Sequence, residues 1–259
     1  MRFCSLGSGS GGNATLIEAS QGITSTELLV DCGFSLRELT RRLARAGSAP
    51  ERLAGVFITH EHGDHAGCAL ALARRHRVPI YCSRGTWRAI GDAAIDPALI
   101  RFVRDGEVLA LGDLELRPFA VPHDANEPLQ LRLSDGWRSL GLITDLGSLT
   151  PSVAAALQAC EALLLECNHD EQMLRDSSYP ASLKRRILGS HGHLSNAIAA
   201  QLLGQCLHGG LRHVVAAHLS ERNNRPALAA AALAEILACD AGQIPIASQE
   251  LGLAWLSLS

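Results

Sequence analysis

The stretch Thr59-His60-Glu61-His62-Gly63-Asp64-His65 constrains this chain more than any other, because four side chains able to bind a metal fall within six residues, directly behind the apolar run Leu53-Ala54-Gly55-Val56-Phe57-Ile58. A short apolar run bounded by a polar loop reads as a buried strand. Imidazoles and a carboxylate at the end of such a strand are costly to desolvate unless they are paired or coordinated. The fold therefore has to bring a cation, or a set of countercharges, to that strand end.

Other polar groups arrive in the same manner. Strand candidates at 2–6, 14–19, 26–31, 53–58, 79–82, 129–133 and 139–144, with several more across 101–122, dominate the first half. Helices are expected at 35–46, near 65–76 and at 84–91. Beyond 145 the pattern becomes helix 149–159, strand 161–166, helices 169–175, 180–188 and 194–207, strand 212–217, helix 226–238 and two terminal strands. Just past the strand ends stand Asp31, His123, Asp145, Glu166, His169 and His218, and loops at strand ends are where ligands collect in layered α/β proteins. The expectation is an α/β protein, layered α/β/β/α, with residues 1–259 forming a single domain.

Composition narrows the class. Hydrophobic residues make up 47% of the 259 and charged residues 19%, which is the balance of a folded globular protein and excludes a disordered one. The net charge of −3 gives no global signal for nucleic acid, and the basic clusters Arg41-Arg42, Arg74-Arg75 and Lys184-Arg185-Arg186 are local. Eight cysteines stand singly, with no CxxC pair, as in a reduced cytoplasmic protein, and no stretch is long and apolar enough to cross a membrane. The expected location is the cytoplasm, without a membrane partner.

The His-x-His pair at 60 and 62 can place two imidazoles on one cation, while Asp64 and His65, turned into the next helix, can hold a second. His123, His218 and Asp145 are available to complete the two spheres. Two cations a few ångströms apart activate water and clamp a phosphate. His76, His208 and His213 are read as ordinary histidines. The loop Gly7-Ser8-Gly9-Ser10-Gly11-Gly12-Asn13 is open to two readings, a phosphate cradle made of backbone amides or a turn between two strands. It has no GxxxxGK[ST] pattern, so it is not an ATP-binding loop.

Thr59–His65 resembles the THxHxDH signature of the metallo-β-lactamase fold hydrolases, and Asp31, His123, Asp145 and His218 stand where that superfamily has its other motif residues. The resemblance implies a four-layer αβ/βα sandwich with a dinuclear site. His60, His62 and His123 would hold one metal, and Asp64, His65 and His218 the other. Asp145 would bridge, and Asp31 would orient a histidine. Zinc is the first expectation, with manganese and iron also compatible.

Leu164-Leu165-Glu166-Cys167-Asn168, Gly192-His193-Leu194-Ser195-Asn196 and Val214–Ser220 resemble motifs of the tRNase Z-like phosphodiesterases. That implies Glu166 and His193 as a pair that protonates the leaving oxygen, beside Asp64 at the attacking water. Leu6-Gly7-Ser8-Gly9-Ser10, Pro122-His123-Asp124, Asn168-His169-Asp170 and His218-Leu219-Ser220 are similar to the YycJ (WalJ) type. That family implies DNA as partner and 5′-to-3′ exonuclease activity in DNA repair. Ser8, Ser10, Asn13, His169 and Ser195 are the candidates to face the substrate.

Only 21 residues separate His123 from Asp145, and only 72 separate Asp145 from His218. The first interval leaves no room for a tRNA-binding arm, the second none for the inserted domain of β-CASP nucleases. A small-molecule hydrolase, for example on a cyclic phosphodiester, and a binding protein with a retained metal site remain the alternatives.

Overall fold

Alternation along the strands decides which layer each side chain meets. In the computed structural model, which describes residues 1–258, β1 (Arg2–Gly7), β2 (Ala14–Ser20), β3 (Ser25–Val30), β4 (Leu53–Phe57), β5 (Ile80–Cys82) and β6 (Ile100–Phe102) form one sheet in chain order. A second sheet runs β7 (Leu109–Leu111), β8 (Leu114–Ala120), β9 (Leu129–Ser134), β10 (Ser139–Ile143), β11 (Ala162–Glu166) and β12 (His213–Ala217). The strand β13 (Leu253–Ser257) pairs antiparallel with β1 and extends the first sheet.

Phe3, Ile17, Leu28, Val30 and Phe57 of the first sheet pack against Leu116, Leu131, Leu142, Leu164 and Val215 of the second. Their strand neighbours Cys4, Leu16, Leu29 and Val56 turn the other way, against α1 (Leu36–Arg45) and α3 (Ala69–His76), which follows the short α2 (Gly63–Ala66). Trp87 and Ile90 of α4 (Arg84–Ile90) join that outer layer. On the far side Leu163, Leu165 and Val214 meet α5 (Pro151–Leu157), α8 (Asn196–Cys206) and α9 (Pro226–Leu237). Between α5 and α8 run α6 (Glu171–Asp176) and α7 (Ala181–Ile187), and α7 has no buried residue. The result is the expected αβ/βα sandwich.

β3 and β4 run parallel, as do β10, β11 and β12, while β8 runs antiparallel to β9 and β9 to β10. The loops after β8, β10, β11 and β12 therefore emerge at one end of the second sheet, and those after β3 and β4 leave the first sheet together. Three residues at these exits, Asp31, Asp145 and His218, have φ of 61°, 55° and 53°. Asp and His tolerate this left-handed region better than most residues, and such conformations concentrate at functional sites.

Two expectations need correction. The helix near 65–76 is two helices, because the chain breaks at Gly67 and Cys68 to dock on Cys32 and Gly33: Cys32 N donates to His65 O at 2.7 Å and Cys68 N to Cys32 O at 3.1 Å. The Asp64 carbonyl lies where a Cβ on Gly33 would be, so only glycine permits this approach. The first of the two terminal strands is replaced by isolated bridges, Ala216 to Ile246 and Ser248 to Gly252, and only β13 forms.

Candidate metal centre

His60, His62 and His123 bring ring nitrogens within 4.8 Å of one another, and so do the ligand atoms of Asp64, His65 and His218. Asp145 lies between the two groups. Its Oδ2 is 2.6 Å from His65 Nε2, 3.6 Å from His218 Nε2 and 3.9 Å from His60 Nε2. The structure thus gathers all seven residues expected to face metal, from positions as far apart in sequence as 60 and 218.

Three of the imidazoles, His65, His123 and His60, have a polar partner at their other nitrogen. His65 Nδ1 is 2.7 Å from Asp31 Oδ2, which turns Nε2 toward Asp145. Asp31 in turn accepts from the amide and the hydroxyl of Thr59, at 2.9 and 3.0 Å. His123 Nδ1 donates to the carbonyl of Gly192 at 3.1 Å, and the Thr59 hydroxyl lies 3.0 Å from His60 Nδ1. Such outer bonds fix the tautomer and the direction of the free nitrogen.

Electrostatics separate the ligands. Burial holds His60 well below the ordinary imidazole range and lowers His123 too, so both offer a neutral lone pair. At His65 and His218 burial opposes the charge, but Asp145 overcomes it, and His218 is pushed up to about 9. The carboxylates here attract positive charge. Asp145 Oδ2 and His218 Nε2 are buried with no aligned hydrogen-bond partner despite their close neighbours. Pinned lone pairs, attracting carboxylates and unpartnered buried ligand atoms fit divalent metal ions, two groups deep.

Glu166 is fully buried at the end of β11, where Oε2 accepts from Leu146 N at 2.8 Å and Leu194 N at 3.2 Å. Its Oε1 is 2.8 Å from His193 Nδ1, and Asp145 Oδ1 is 3.0 Å from the same nitrogen. Burial opposes ionisation of Glu166, but the charge of His193 holds its carboxyl at about 2. Burial likewise opposes a charge on His193, and Glu166 and Asp145 push it well above the usual range. With Nδ1 engaged, Nε2 is the nitrogen left for the groove that His193 lines.

The candidate substrate residues divide. Ser10 is exposed and lines that groove. Ser8 and Asn13 do not face it as expected. Ser8 is buried, accepts from His218 N at 2.8 Å and donates to Asn13 Oδ1 at 3.3 Å. Asn13 reaches the Asp64 carbonyl at 3.2 Å and His65 Nε2 at 3.1 Å. The side chains of the Gly7–Asn13 loop thus engage His218, Asp64 and His65. Ser195 is also committed elsewhere, because its hydroxyl caps α8 by accepting from Ile198 N at 3.3 Å and donates to Glu171 at 3.1 Å. His169 is buried, with neither ring nitrogen hydrogen-bonded to the protein.

Thr59 and Asn168, to which the sequence assigned no role of their own, are supporting residues; Asn168 Nδ2 donates to the His218 carbonyl at 3.2 Å. Thr59 was visible inside the motif, and Asn168 two residues past Glu166. His76, His208 and His213 bond to Glu51, the Cys160 carbonyl and the Ser257 carbonyl, in agreement with their reading as ordinary histidines. Larger hollows exist, including one of about 400 Å³ beside Arg84 and Glu127, but that one is lined by no ligand residue.

A His/Asp cluster at the shared rim of an αβ/βα sandwich defines a metal-dependent hydrolase of the metallo-β-lactamase fold. Residues 26–219 match the family described as beta-lactamase superfamily domain, and the chain belongs to that superfamily. Exodeoxyribonuclease YycJ of Bacillus anthracis is 35% identical over 241 residues, covering 92% of this chain and 89% of the relative. Exodeoxyribonuclease WalJ of Streptococcus pneumoniae is 34% identical over 232 residues, covering 88% and 85%. The metallo-β-lactamase fold protein YhfI of Bacillus subtilis superposes with a TM-score of 0.74 over 99% of both chains; at 16% identity it speaks for the fold alone.

Proposed function

We propose that this chain, read as one hydrolase domain over residues 1–259, is a DNA exonuclease that works in the 5′-to-3′ direction and holds two divalent cations, with zinc the first expectation. The observation that carries the reading is the Glu166–His193 pair, 2.8 Å apart beside the Asp145 carboxylate. A proton donor built this way is what a phosphodiester with a poor alkoxide leaving group requires. The relatives named exodeoxyribonucleases support DNA as the substrate.

His60, His62 and His123 would hold one cation and Asp64, His65 and His218 the other, with Asp145 shared. When bound, the cations supply positive charge to the scissile phosphate and lower the pKa of water. Asp64 Oδ2, 3.5 Å from His65 Nε2 and 3.6 Å from His218 Nε2, orients the attacking water. As the new P–O bond forms and the old one breaks, His193 Nε2 gives its proton to the leaving oxygen. Glu166 holds the imidazole in the tautomer and orientation that make this possible. Asp31 keeps His65 in place. The free cysteines, seven of them buried, suit work in the reducing cytoplasm.

The reading is tested by stripping the protein with a chelator and titrating zinc, manganese or iron(II) back. Two metal equivalents per chain, with nuclease activity returning only as the second binds, are expected. Full activity in the stripped protein, or saturation at one equivalent, contradicts the two-metal assignment.

A further inference from the structure

A proton donor marks the side of the phosphate from which the leaving oxygen departs. The nucleoside that carries this oxygen must therefore lie on the His193 side, and the space there is a cleft of about 180 Å³. Its lining combines apolar Tyr179, Leu183 and Ile187 with small polar Ser10, Asn168 and Ser220. Tyr179 is half-buried and Ser10 exposed. An aromatic ring lining a cleft beside the leaving side is a platform on which a nucleobase stacks.

Several of the basic residues, including Arg186 of the cleft itself, already have partners. Arg41 and Arg42 pair with Glu38, Arg74 pairs with Asp92, and Lys184 Nζ donates to the Arg175 carbonyl at 2.6 Å. Arg186 pairs with Asp124 beside His123, at 2.5 Å. Arg222 differs: it is exposed, its guanidinium stands 6.0 Å over the Tyr179 ring, and no ion pair with a carboxylate is found for it among the described residues. A cation held over an aromatic ring that lines a cleft, without an anion of its own, is matched by a phosphate.

We propose that this cleft is a nucleoside subsite, in which Tyr179 stacks on the base of the nucleotide whose oxygen leaves and Arg222 receives the phosphate on its far side. The proposal rests on the nucleic-acid reading above and adds a place for one particular nucleotide. Neither residue takes part in the proton transfer, so both act through substrate position.

The test compares metal-loaded wild type with Tyr179→Ala, Tyr179→Phe and Arg222→Ala on a labelled DNA duplex and on bis(p-nitrophenyl) phosphate. Tyr179→Ala is expected to raise KM for DNA about tenfold, the usual size of one lost base stack, with kcat/KM falling at least five times more on DNA than on the small ester. Tyr179→Phe restores most of the loss. Arg222→Ala raises KM and makes the salt dependence of log KM shallower by about one phosphate contact. An unchanged KM for DNA in Tyr179→Ala, or equal losses on both substrates, overturns the subsite while leaving the nuclease reading intact. Wild type that cleaves the ester but no DNA overturns the nuclease reading and the subsite with it.

Discussion

A leaving group needs a proton donor in proportion to its basicity, which makes His193 separable from the ligands around it. With Nδ1 held by Glu166 at 2.8 Å, the proposed role of the ring is proton transfer to the leaving oxygen. His193→Ala should slow DNA hydrolysis by about 10²–10⁴-fold. The loss on bis(p-nitrophenyl) phosphate should be far smaller, because p-nitrophenolate leaves unprotonated; equal losses would mean that His193 serves the metals instead. His169 gives a second prediction at this scale. Burial lowers its pKa from 6.5 to about 4. The unfolded chain therefore takes up a proton below pH 6.5 that the folded chain refuses until about 4, so stability is full above 6.5 and falls as the pH drops through that window. The loss is on the order of 3 kcal/mol. Urea unfolding of metal-free protein at pH 7.5 and 4.5 should show a steeper decline for wild type than for His169→Gln; parallel declines contradict it.

Among the elements, the Gly7–Asn13 loop carries the sharpest change of interpretation. Its composition suggested a turn or an anion cradle, yet Ser8 holds the backbone of His218, whose φ of 53° needs an anchor, and Asn13 braces the Asp64–His65 turn. Ser8→Ala should weaken metal binding by about 10–100-fold, the usual cost of a lost supporting contact, and excess metal should restore activity. Wild-type metal affinity with a raised KM for DNA would return the loop to the phosphate-cradle reading. This also shows what was legible. His60, His62, Asp64 and His65 are neighbours in sequence and announce themselves, as do the strands that deliver Asp31, Asp145 and Glu166. The Ser8–His218 contact joins residues 210 apart, and nothing local predicts it. The same holds for the break at Gly67, which exists because Cys32 and Gly33 dock there, and for Ser195, whose hydroxyl is taken by the cap of α8.

At the scale of the molecule, two parallel strand sets open at one rim, and the side chains argued to touch metal come from the loops there and from α2, the short helix just behind β4. The inner core between the sheets contains Phe3, Phe57 and the leucines of β9 and β10, and it holds the two halves of the ligand set in register. No single element could do so, since His60 and His62 follow β4, His65 lies on α2, and Asp145 and His218 follow strands of the second sheet. The claim that this rim degrades DNA from its 5′ ends is tested most directly by a time course on one duplex carrying distinct labels at its 5′ and 3′ ends, with metal-loaded wild type and Asp64→Asn. The account predicts early release of the 5′ label as a small product, the 3′ label persisting in long strands, and neither event with Asp64→Asn. Early release of the 3′ label, or intact DNA at every metal tried, would contradict it.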